Sequence, residues 1–213
     1  MAGPLQWKEI APPDRPEGCI ICLHGRGTNG EDLMPLAEAF KLPRIRWILP
    51  DAPFPFPGLP GGRMWFGDVA GGASGIETSR RLVTGLLDAL IRKDRLAPEK
   101  IVLLGFSQGA VMSLDTGLRY RQPLGAIAAL SGFLAFPEKL GTEKSPKSIK
   151  TPILLVHGTD DEVVAVNGSR KARTALQKEG YTVKLQEYRM GHQITIEEIQ
   201  FVRNRLIGYM GGP

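Results

Sequence analysis

Six short apolar runs alternate with helical patterns along this chain, and that alternation constrains its fold more than any other feature. Cys19–Leu23, Ile45–Leu49, Ile101–Gly105, Leu124–Leu130, Ile153–Val156 and Val183–Tyr188 read as strands. Leu5–Ile10 adds a candidate edge strand. Between them, Glu31–Phe40, Ser74–Lys93, Gln108–Tyr120, Asn167–Glu179 and Ile196–Tyr209 read as helices. The Ser74 segment is the clearest, with Val83, Leu86, Leu87, Leu90 and Ile91 at helical spacing. Ser74 with Glu77, and Thr195 with Glu198, have the spacing of capping boxes. Strands apolar along their whole length are buried on both faces, so the expectation is a mostly parallel central sheet with helices on either side. The 213 residues carry no internal repeat and no linker, which predicts one domain over 1–213. In such sheets ligands bind beyond the carboxyl ends of the strands.

The most specific strand-end loop is Gly105-Phe106-Ser107-Gln108-Gly109, which follows Ile-Val-Leu-Leu and opens a helix. In that context Gly-x-Ser-x-Gly sets a serine on a strained turn above the sheet, with the helix N-terminus lending positive potential to a developing oxyanion. The competing reading is a glycine-rich turn with a serine N-cap. A nucleophilic Ser107 needs a base, and the chain has only three histidines. His24 and His157 end strands and read as structural. His192 follows the last strand in Arg189-Met190-Gly191-His192, where the order Ser…Asp…His places the base.

The third member should follow the preceding strand, where Asp160, Asp161 and Glu162 lie in a row. One carboxylate must orient His192 and stabilise its imidazolium. Spacing alone leaves Asp160 and Asp161 open. Two backbone donors must face the oxyanion. Gln108, the residue after the nucleophile, supplies one, and the loop His24-Gly25-Arg26-Gly27 supplies the other.

Together Leu-His-Gly-Arg-Gly, Gly-Phe-Ser-Gln-Gly-Ala, His-Gly-Thr-Asp-Asp-Glu-Val-Val and the late Met-Gly-His resemble the phospholipase/carboxylesterase family, in that family's order, from Cys19 to Tyr209. The resemblance implies a single-domain α/β-hydrolase and assigns the triad acid to Asp161 and the second oxyanion donor to Arg26. Many members carry an apolar residue where Arg26 stands, so its side chain alters the charge at the mouth. The loop Pro50–Gly67 holds five prolines and the apolar Phe54, Phe56, Leu59, Met64, Trp65 and Phe66. It resembles the family segment that lines the acyl pocket. Leu59, Met64, Trp65 and Phe66, with Phe133 from the segment Gly132–Thr151, are therefore expected to bind substrate. The competing readings are a rigid connector and a polyproline ligand. About twenty residues after Gly132 are too few for a cap domain, so an open site is expected.

The resemblance implies hydrolysis of carboxylic esters; the acyl-enzyme route through Ser107 needs no cofactor and no metal, and an open site with a short aromatic rim predicts short- to medium-chain substrates. Acyl-protein thioesterase and lysophospholipase activities share the same triad. A non-catalytic ligand-binding homologue is the reading from another class. Net charge is +5, but the basic residues are scattered and no nucleic-acid motif accompanies them. Cys19 and Cys22, an odd offset apart on one strand, should point to opposite faces and so form neither a disulfide nor a metal site. No apolar run reaches membrane-spanning length and the first residues lack a signal-peptide pattern, which predicts a cytoplasmic protein without stable membrane insertion. The expected partner is a small ester, and a homodimer is allowed.

Overall fold

The computed structural model describes residues 3–67 and 73–210. Seven strands form the central sheet: β1 (Trp7–Ile10), β2 (Gly18–Leu23), β3 (Ile45–Pro50), β6 (Ile101–Phe106), β7 (Ala126–Leu130), β8 (Ile153–Gly158) and β9 (Val183–Tyr188). Two short strands, β4 (Phe54–Pro55) and β5 (Arg63–Met64), pair apart from it. The sheet order is β1-β3-β2-β6-β7-β8-β9. Within this sheet, among the described residues, only the β1–β3 pair is antiparallel. This is the mostly parallel sheet of an α/β-hydrolase.

Helices cover both faces because the strands alternate apolar side chains between them. Ile21, Leu103, Val83 and Leu87 share one apolar layer, continued by Ile127, Ile153, Leu114 and Leu176. That face carries α2 (Ala73–Asp94), α3 (Gln108–Arg119) and α5 (Asn167–Lys178). Ile20, Val102, Ala128 and Val156 point the other way, toward Phe40, Val202 and Leu206. Here lie α1 (Met34–Ala39) and α6 (Ile196–Tyr209). Cys19 belongs to the first layer and Cys22 to the second, so the two thiols are separated by the sheet. Burial pushes both up to about 12, which keeps them protonated.

Several boundaries differ from the sequence reading. The first helix opens with a 3-10 turn over Glu31–Leu33. The fourth strand begins at Ala126, because the Leu124 N–H turns to the Thr151 hydroxyl at 2.9 Å. Ser74 stands inside α2, which already includes Ala73, and is not its cap. The Thr195 side chain does cap α6, accepting from the Glu198 N–H at 3.2 Å. The Glu198 carboxylate does not reciprocate; it is buried without a hydrogen-bond partner. The segment after β7 forms short turns and α4 (Leu140–Glu143). Ser145 and Ser148 tie it to the Leu118 carbonyl at the end of α3, so no cap domain stands there.

Strand order reverses between β2 and β6, and the loops that leave these two strands flank that switch point.

Candidate active site

Ser107 joins β6 to α3 with φ 56° and ψ −118°, outside the regions that side chains favour. Such strain costs on the order of 1–3 kcal/mol and persists only where the surroundings over-determine it. The surroundings here are tight. A Cβ on Gly109 would sit 1.9 Å from the Leu23 carbonyl oxygen, and one on Gly105 would sit 2.2 Å from that of Gly109. The Ser107 N–H donates to Leu130 O at 2.9 Å. Strand and helix therefore meet at a separation only glycine permits, with the serine at the apex.

His192, in the loop after β9, brings Nε2 to 3.0 Å from Ser107 Oγ. Its Nδ1 lies 2.7 Å from Asp161 Oδ2. The Phe106 ring packs beside the imidazole, with centroids 4.7 Å apart and a tilt of 35°. Sequence reasoning had not singled out Phe106.

Asp161 accepts from the backbone N–H groups of Val163 and Val164 at 2.9 and 2.8 Å through Oδ1, and its Oδ2 faces His192. Burial pushes its carboxyl up, but the Val164 N–H, His192 and the Val163 N–H outweigh it and hold the group below its ordinary value. Asp160 is exposed and faces Thr159 and Arg189 instead. The loops bearing Asp161 and His192 meet closely at Gly158, where a Cβ would fall 2.1 Å from Met190 O.

The loop after β2 is braced from several sides. Ala52 N–H donates to His24 Nε2 at 3.0 Å, and His24 Nδ1 reaches Gly25 O at 2.6 Å. These two bonds fix the neutral tautomer protonated on Nδ1, and burial lowers its pKa. Gly27 and Thr28 exchange backbone hydrogen bonds with Arg63 at 2.8 and 2.9 Å. Among the described residues no acceptor takes the N–H of Arg26 or of Gln108, so both remain free to meet an oxyanion.

An open cleft of about 940 Å³ lies over Ser107 and His192. Phe56, Phe66, Phe133, Val163 and Val164 supply its apolar wall, and Arg26 and Asp32 its charged rim. The Arg26 guanidinium lies over the Phe56 ring, 5.1 Å from the centroid. Of the residues expected to bind substrate, Phe66 and Phe133 line the cleft, whereas Leu59, Met64 and Trp65 do not. Leu59 is half exposed on the outer turn near Gly27 and Gly62. Met64 pairs with Phe54 across the small sheet. Trp65 is fully buried because its polar groups bind behind the cleft: Nε1 donates to His24 O at 2.9 Å, and its N–H donates to Gln108 Oε1 at 3.0 Å. Phe56, Val163 and Val164 take their place. Phe56 is one of six apolar residues in its loop, and nothing in the sequence separates it from the other five.

No helix among the described residues is long and apolar enough to cross a membrane. The family model described as phospholipase/carboxylesterase matches residues 6–207. The chain is 30% identical to the carboxylesterase SOBER1 of Arabidopsis thaliana, with 87% of each chain covered. It is 32% identical to an acyl-protein thioesterase 1 of Gibberella zeae, covering 88% of this chain and 90% of the other. Among solved structures, the esterase PE8 superimposes with a TM-score of 0.90 at 32% identity, over 97% of this chain and all of the other.

Proposed function

The chain belongs to the phospholipase/carboxylesterase family and is an ester-hydrolysing enzyme, and from that premise we propose a serine carboxylesterase mechanism acting on short- to medium-chain acyl esters. The observation that carries the reading is the unbroken series Ser107 Oγ, His192 Nε2, His192 Nδ1, Asp161 Oδ2, with contacts of 3.0 and 2.7 Å.

His192 takes the Ser107 proton as Oγ attacks the acyl carbon. The N–H groups of Arg26 and Gln108 receive the oxyanion. His192 returns the proton to the leaving alcohol, giving an acyl-enzyme on Ser107. A water deprotonated by His192 then attacks the acyl carbon. Collapse of the second tetrahedral intermediate breaks the ester bond to Ser107, which regains its proton from His192. Asp161 keeps the imidazole in the tautomer protonated on Nδ1 and offsets its transient charge.

The chain-length preference rests on the cleft. Each buried methylene contributes about 0.8 kcal/mol only while apolar wall remains to cover it, and Phe66, Phe133, Val163 and Val164 form a short wall. The similarity to acyl-protein thioesterases supports a second reading, in which the uncapped cleft admits a protein-borne thioester. We place either activity in the cytoplasm.

A fluorophosphonate probe should label the wild-type protein and fail with Ser107→Ala, because labelling needs an activated serine. A panel of acyl esters, thioesters and lysophospholipids of graded length then tests substrate class. Maximal kcat/KM on long-chain lysophospholipids would overturn the short-chain assignment. Absence of labelling would overturn the mechanism.

A further inference from the structure

Asp161 faces two imidazoles. His192 Nδ1 lies 2.7 Å from Oδ2, and His157 Nε2 lies 3.3 Å from the same oxygen. His157 sits near the end of β8, fully buried, and the mechanism proposed above gives it no proton to transfer.

Its ring protons can be counted from its partners. Nε2 is 2.7 Å from the Val164 carbonyl oxygen, which only accepts, so Nε2 carries a proton. Nδ1 is 2.7 Å from Ser169 Oγ, and that hydroxyl also lies 2.9 Å from the Gly132 carbonyl oxygen. A serine hydroxyl has one proton to donate. If it serves Gly132, the short contact to Nδ1 needs a proton on Nδ1. If Nδ1 is bare, either the 2.7 or the 2.9 Å contact sets lone pair against lone pair, at residues that are 0% and 2% exposed. Only the doubly protonated ring satisfies all three contacts.

The nearest charge is of the sign that favours the same state, Asp161 Oδ2 at 3.3 Å, while the more distant charges offset one another. Asp161 lies in the loop after β8, and Glu187 on β9 is the register partner of His157. Glu187 is paired with Arg170 of α5, and Arg173 is a further cation near it. His192 stands on the far side of Asp161.

We infer that His157 is a standing imidazolium and the positioning residue of Asp161, whose negative charge it shares with His192. The inference rests on the triad proposed above. Sharing weakens the pull of Asp161 on a proton at His192.

The protein has three histidines, which makes the test direct. Long-range ¹⁵N–¹H spectra of ¹⁵N-histidine-labelled wild-type protein are recorded at about pH 7.5, above the free imidazole value of about 6.5. Resonances are assigned with His192→Ala and His157→Gln. His157 should show two protonated nitrogens, while His24 shows one protonated and one bare. A bare nitrogen on His157 overturns the inference. Independently, His157→Gln keeps an amide donor and removes the charge. The acidic limb of its kcat/KM profile should move upward by roughly one pH unit. A role that is merely structural lowers the rate at every pH and leaves the limb in place, which overturns the charge sharing. If fluorophosphonate fails to label the wild-type protein, the triad falls while the imidazole spectrum still decides the state of His157.

Discussion

Gln108 holds Trp65 by the backbone: its side-chain Oε1 accepts the Trp65 N–H at 3.0 Å, while Nε2 donates to Phe66 O at 2.9 Å. In the proposed mechanism this residue offers its main-chain N–H to the oxyanion, and its side-chain amide holds the backbone of the aromatic wall of the cleft. Gln108→Met keeps the first role and removes the second. It leaves two backbone groups without partners, a cost of about 1–3 kcal/mol each when buried. The expected outcome is a loss of about tenfold in kcat/KM for esters whose acyl group meets Phe66, with fluorophosphonate labelling of Ser107 retained. Unchanged kcat/KM would show that the wall needs no such clamp.

Ser107→Ala should lose on the order of 10⁶-fold in kcat, with His192→Ala nearly as damaging, because members of a triad act as a unit. Asp161→Asn should cost roughly 10⁴-fold by favouring the wrong imidazole tautomer. Asp160→Asn should leave the rate close to wild type, since its carboxylate faces Thr159 and Arg189. Steady-state kinetics on one chromogenic ester separates these outcomes, and a severe Asp160 effect would move the acid by one residue.

The Arg26 side chain stands at the cleft rim over Phe56 and is exposed to water. Esters carrying a distal carboxylate should therefore gain about two- to fivefold in kcat/KM over neutral esters of equal length, a gain that salt diminishes. Arg26→Leu should abolish that preference and spare neutral esters, because the proposed oxyanion donor is the main-chain N–H. An equal loss on both substrates would make Arg26 structural.

Burial pushes the Glu198 carboxyl up to about 7; the nearby Thr195 N–H lowers it only in part and makes no bond of ordinary geometry. Between about 4.5, the value of a free glutamate, and 7 the folded chain holds a proton the unfolded chain has lost. Stability should therefore fall as pH rises through that window and stay reduced above it, by roughly 3 kcal/mol. Glu198→Gln removes the ionisation. Urea unfolding should find the two proteins alike near about pH 4.5 and the variant more stable near about pH 8. A variant no more stable at the higher pH would mean that the Glu198 carboxylate is relieved by rearrangement.

The amino-acid sequence by itself determined the layered α/β architecture, the elbow at Ser107 and the two loops beside it. Those features are local or periodic: fully apolar strands, helical spacing, and glycines flanking a serine at a strand–helix junction. It also put Cys19 and Cys22 on opposite faces, since a strand alternates strictly. What it left open was decided by contacts between distant segments. Asp160 and Asp161 are equivalent as neighbours in a turn; they differ because Val163 and Val164 N–H groups turn one carboxylate inward toward a loop 31 residues away. Trp65 is as apolar as Phe66, yet its indole N–H requires an acceptor, and the one it finds is the His24 carbonyl, 41 residues distant and behind the cleft. Apolar character predicts that a residue will be covered. Whether substrate or the protein's own interior covers it depends on where its polar atoms find partners, and only the folded chain brings those partners together.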